Sequence, residues 1–150
     1  MTRVKICGLM SRQDLEYALA AGADAVGFVV EIDSSRHCLS AAAAADLIRR
    51  VPIYSKSVAV INPMDVDDAL RLANETGADV LQVHGSLSPG DLAELKGRAH
   101  QKIIAAVAAE PGGKRPGAML RWQMPSLWTA WLVVLWAVRE RFTTGWSVRR

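Results

Sequence analysis

The sequence predicts an α/β chain of parallel βα units: a partial (β/α)8 TIM barrel of four to five units over residues 1–110, followed by an aberrant apolar carboxyl tail. Three observations predict it. Short apolar runs rich in β-branched residues alternate with stretches of helical period. One segment nearly repeats: Ala21-Gly22-Ala23-Asp24-Ala25-Val26-Gly27 is echoed 55 residues later by Thr76-Gly77-Ala78-Asp79-Val80-Leu81-Gln82. Finally, the first turn, Cys7-Gly8-Leu9-Met10-Ser11, carries no GxGxxG pattern. That absence favours the barrel over a dinucleotide-binding doubly wound sheet.

The elements follow in order. Residues 4–7 read as the first strand. Ser11 caps the first helix, with Asp14 at the third helical position as a weaker form of the capping box. Leu15, Ala18 and Leu19 form its buried stripe, and Gly22 ends it in the left-handed conformation. Residues 25–30 are almost continuously apolar, as a strand covered on both faces requires. Ser40 caps a second helix through Arg50, which stops before Pro52. Residues 56–61 form a third strand, 65–75 a third helix ended by Gly77, and 80–84 a fourth strand. A fourth helix over 89–96 and a fifth strand over 102–107 complete the series.

Charge divides the chain. Residues 1–110 hold 11 Lys/Arg against 14 Asp/Glu, whereas residues 111–150 hold 7 Lys/Arg against Glu140 alone. All five tryptophans also lie in the last 40 residues. The net charge of +3 therefore belongs to the tail, and nothing in the first 110 residues calls for a nucleic-acid partner. Two cysteines, Cys7 and Cys38, make no disulfide framework, and no cysteine–histidine cluster suggests a metal. The amino terminus meets Arg3 and Lys5 at once, unlike a secretory signal, so a cytoplasmic location is expected.

Cys7 stands at the carboxyl end of the first strand, where parallel α/β proteins place their chemistry. Free cysteines are also among the most buried residues, so position alone leaves Cys7 either a base or nucleophile or a small core side chain. Lys5, two residues back, shares its face and could supply positive charge that favours the thiolate. Gln82 and His84 likewise share one face of the fourth strand.

Four motifs bear a closer likeness. Lys5-Ile6-Cys7-Gly8, the Ala21 to Phe28 segment, Ser34-Ser35-Arg36 and Leu81-Gln82-Val83-His84-Gly85 occur in the order and spacing of phosphoribosylanthranilate isomerases. The chain resembles the first half of that (β/α)8 family over residues 1 to about 110. The resemblance implies an Amadori rearrangement in tryptophan biosynthesis, from N-(5-phosphoribosyl)anthranilate to 1-(2-carboxyphenylamino)-1-deoxyribulose 5-phosphate, without a cofactor. It implies that a general acid opens the furanose ring and that Cys7, as base, removes the adjacent sugar proton. Arg36 would pair with the substrate carboxylate, and Lys5, Gln82 and His84 would line the substrate site. His37 and Cys38 stand where the family has an aromatic or small aliphatic residue and read as neutral variation. Oligomeric state, monomer or homodimer, stays open.

The family's acid, an aspartate on a sixth strand, and its later glycine-rich and phosphate-binding segments have no counterpart after Glu110. Asp91 and Glu94, on the fourth helix, cannot substitute. The tail, read two bases later with suitable synonymous codons, yields an aspartate, then Ala-Gly-Gly-Thr, then His-Asp-Trp, the family's missing order. A frameshift between about Pro111 and Ala118 is expected, making 1–110 barrel and 111–150 not a native domain. Two rival readings stand beside the enzyme. One is a non-catalytic half-barrel with an open edge strand. The other is a membrane anchor at residues 122–138, a 17-residue run without charge, weakened by Gln123, Pro125 and scattered tryptophans.

Overall fold

The computed structural model describes residues 2–85 and 87–106. Their order is β1 (Lys5–Cys7), α1 (Arg12–Ala20), β2 (Ala25–Val30), β3 (Cys38–Leu39), α2 (Ala41–Ile48), β4 (Lys56–Ile61), α3 (Val66–Thr76), β5 (Val80–His84), α4 (Pro89–Arg98) and β6 (Lys102–Ala106). All pairings are parallel, and the sheet runs β1-β2-β4-β5-β6 without reversal. A doubly wound sheet would turn back past β1, so this singly wound order is that of a barrel arc. The tail expectations, the frame change and the span at 122–138 included, fall outside the described residues. Among the described residues, no helix is long and apolar enough to cross a membrane.

Alternation divides the sheet into two faces. Val26, Phe28, Val30, Ala59, Ile61, Leu81 and Val83 point outward and are buried with Leu15, Ala18, Ala44, Ile48, Leu72 and Leu95 of the helices. Small residues on α2 let it lie close to the sheet, burying Ala41, Ala44, Ala45 and Ile48. The concave face carries Lys5, Cys7, Gly27, Val58, Val60, Gln82 and His84, in register across the strands.

The near-repeat has one structural cause. The Asp24 carboxylate accepts from the Val4 N–H, 2.8 Å away, and the Asp79 carboxylate accepts from the Ser57 N–H, 2.9 Å away. Each aspartate also gives its own carbonyl to the next strand, at Lys56 and Lys102. Both stitch three neighbouring strands at their amino-terminal feet. The two copies sit two βα units apart, matching the alternate-strand layering of a barrel.

Local signals largely place the helices. Ser11 and Asp14 form the reciprocal capping box, and Ser88 and Asp91 form another on α4. After α1 the left-handed residue is Gly22 (φ 82), with bonds from Gly22 to Leu19 and from Ala23 to Ala18 that define a Schellman end. Helix α2 ends at Ile48, two residues before the expected Arg50. The element that sequence reading misses is β3. Strand β1 stops at Cys7, opposite Gly27, and leaves the edge of β2 open at Val29 and Val30. Cys38 and Leu39 fill that vacancy, so a two-residue strand with no periodicity of its own is created by a neighbour's shortness.

Candidate active site

Because the strands are parallel, Cys7, Val30, Ile61, His84 and Ala106 end on one rim. Cys7 is exposed there and is not a core side chain. Lys5, one layer deeper, is partly buried and lies beside Cys7, the Lys5 Cε and the Cys7 Sγ converging over Gly27. Burial pushes the Lys5 ammonium below its ordinary value, while the charge and hydrogen bond of Cys7 pull the other way.

The Lys5 ammonium also donates to the Gln82 side-chain oxygen on β5, three strand spacings away. In a flat sheet those strands would lie about 14 Å apart, too far for side chains that stand upright. The contact exists because the arc curls and because Gly27 lies between. A side chain at Gly27 would meet Cys7 Sγ at 2.6 Å and Lys5 Cε at 3.0 Å. The glycine is thus the floor over which Lys5 crosses β2. Sequence reading missed this role, although a glycine inside an otherwise bulky strand is a sign of close approach.

Gln82 is 2% exposed, beneath the rim. Its amide is engaged by Lys5 and, at 3.1 Å, by His84 Nε2, so it serves protein partners. His84 is half-buried nearer the rim. Burial, and then the Lys5 charge, hold its imidazole below the ordinary 6.5, leaving it neutral at pH 7.

Arg36 is exposed on the loop between β2 and β3 and makes no ion pair with a described residue. The structure joins Lys5, Cys7, Gln82 and His84 into one network and leaves Arg36 outside it. The loop is nevertheless anchored on the same rim. Glu31 opens it in the left-handed region (φ 51), held by Arg71 at 2.8 Å, and β3 closes it. His37 lies against Gly8, whose φ of 86 a side chain would strain and whose Cβ would stand 3.3 Å from the ring. His37 thus packs the loop against the end of β1. A groove of about 470 Å3 lined by Ile48, Pro52, Asn74 and Asp79 lies at the opposite, amino-terminal end of the strands, away from this network. Among the described residues no cluster of His, Cys, Asp or Glu could hold a metal ion.

Comparison with known proteins agrees with this geometry. The family model of N-(5'phosphoribosyl)anthranilate (PRA) isomerase matches residues 4–113. The N-(5'-phosphoribosyl)anthranilate isomerase of Methanothrix thermoacetophila is 57% identical over 115 residues, covering 77% of this chain and 54% of the relative. The crystal structure of TrpF from Jonesia denitrificans superposes with a TM-score of 0.66 at 32% identity, covering 71% of this chain and 51% of that one. A phosphoribosyl anthranilate isomerase in complex with reduced 1-(o-carboxyphenylamino)-1-deoxyribulose 5-phosphate superposes with a TM-score of 0.64 at 29% identity, covering 71% and 54%. The chain spans about half the length of these relatives. A parallel arc with a thiol and a histidine on one rim and a lysine and a glutamine beneath them, matched along 110 residues, identifies the chain as a member of the N-(5'-phosphoribosyl)anthranilate isomerase family.

Proposed function

We propose that residues 1–110 are the base-bearing part of an isomerase that converts N-(5'-phosphoribosyl)anthranilate to its 1-deoxyribulose aminoketose. The observation that carries this reading is an exposed thiol, Cys7, at the carboxyl end of a parallel strand with the Lys5 side chain beside it over Gly27. The substrate opens from a furanose to an iminium once its ring oxygen is protonated. The sugar proton beside the iminium carbon is then acidic, and Cys7 as thiolate removes it. Lys5 offsets the thiolate charge before the proton arrives. His84, at the rim, and Arg36, on the anchored loop, are assigned to holding the anthranilate end, the guanidinium pairing with the carboxylate. Cofactor and metal have no part in this scheme, and a small phosphorylated sugar–anthranilate is the partner assigned.

The family's strand-six aspartate and its phosphate-binding segments have no counterpart in this sequence. Lys5, Cys7, Gln82 and His84 are therefore half a mechanism, and residues 111–150 are assigned to an out-of-frame tail. The 150-residue chain by itself is expected to consume substrate no faster than its Cys7→Ala variant, followed by loss of the adduct's fluorescence. A chimera joining residues 1–106 to the remaining half of the Methanothrix thermoacetophila relative is expected to turn over. Cys7→Ala in that chimera should lower kcat about a thousandfold or more, at the upper range for loss of a general base. A folded chimera without turnover, or one indifferent to Cys7→Ala, overturns the reading.

The non-catalytic half-barrel remains a second reading because β1 and β6 are both edges among the described residues. Turnover by the chimera that needs Cys7 decides between them.

A further inference from the structure

We propose that Gln82 is a positioning residue: one end of its amide holds Lys5 against Cys7, and the other fixes His84 with its proton on Nδ1. This deepens the reading of Cys7 as base. Donor and acceptor chemistry fixes both ends of the amide. A lysine ammonium has hydrogens to give and no lone pair to receive, so the amide oxygen must face Lys5. The amide NH2 therefore faces His84, with its nitrogen 3.1 Å from Nε2. That NH2 is a donor only, so Nε2 must accept. A ring that accepts at Nε2 is neutral and carries its hydrogen on Nδ1.

Burial makes the arrangement binding. At 2% exposure Gln82 has no bulk water to replace a lost partner, and an amide flip would oppose NH2 to ammonium. The same side chain thus ties the base's cation on β1 to a histidine three strands away on β5. His84 is left with an N–H at Nδ1 as its donor, the form suited to an anionic or carbonyl oxygen of substrate. The groups facing His84 fit a neutral ring. Lys5 is the charged group acting on it, Cys7 sits beyond Lys5, and its register partner on β6 is Ala106.

The test uses the 150-residue chain labelled with 15N-histidine, read by long-range proton–nitrogen correlation between pH 5 and 8. Wild-type His84 is expected neutral at pH 7 with the hydrogen on Nδ1. In Gln82→Glu the carboxylate accepts from both sides, so Nε2 must carry a hydrogen and the His84 midpoint should rise by about one pH unit or more. In Gln82→Met both tethers go: the Nδ1–H preference should be lost, and Cys7 alkylation at pH 7 should slow several-fold. Wild-type His84 protonated on Nε2 overturns the proposal, as does a folded Gln82→Glu chain with an unmoved midpoint. If Gln82→Glu does not fold, the wild-type tautomer alone decides. None of these signals requires turnover, so an inactive chimera with the expected tautomer would count against the isomerase reading only.

Discussion

At the residue scale, the site is a hydrogen-bonded line from Lys5 through Gln82 to His84, with Cys7 beside Lys5 over Gly27. Gly27→Ala places a methyl 2.6 Å from the Cys7 sulfur, so something must shift. We expect about 1–3 kcal/mol of destabilisation from overpacking, measured by urea unfolding, with a larger loss of Cys7 reactivity than of stability. His84 gives a pH dependence. Its folded-state value lies below 6.5, so on acidification the unfolded chain takes up the proton first. Stability that is full above about pH 6.5 therefore declines as pH falls through that window. The fall in urea midpoint between pH 7 and 5 should be smaller in His84→Gln. Cys7 and His84 were legible in the sequence as polar residues ending strands. The bond between Lys5 and Gln82 was not, because residues 77 positions apart meet only through the curvature of the sheet.

At the element scale, the strands and helices follow from patterns that act within a few residues. Capping serines, helix-ending glycines and unbroken apolar runs placed four helices and five strands near their observed bounds. Strand β3 escaped because its cause is the unfilled edge of β2. The repeated aspartates were visible, but only coordinates show that each clamps its neighbouring strands. For Asp79, burial pushes the carboxyl up, and hydrogen bonds from the Ser57 N–H and hydroxyl and from Lys56 more than reverse it, so the net shift is downward. Its stabilisation is present above the ordinary carboxylate value and lost as pH falls through the lowered one. Asp79→Asn should therefore reduce the loss of stability between pH 5 and 3, followed by circular dichroism. Phe28→Ala, which empties a fully buried position between sheet and helices, should cost about 3–5 kcal/mol.

At the scale of the whole molecule, five parallel strands in unbroken order make an arc, and the arc brings β5 within reach of β1. The fold class was legible because the βα alternation repeats. The reach of Lys5 across the arc is the property on which the chemistry rests, since it holds a cation against the sulfur. The rate of iodoacetamide alkylation of Cys7 reads that property directly in the 150-residue chain, with Cys38 as internal reference and Lys5→Met as control. At pH 7 Cys7 should react several-fold faster than Cys38 and slow by about tenfold in Lys5→Met, the effect of removing one charge at contact distance. A Cys7 that reacts no faster than Cys38, or at the same rate without Lys5, would contradict the account.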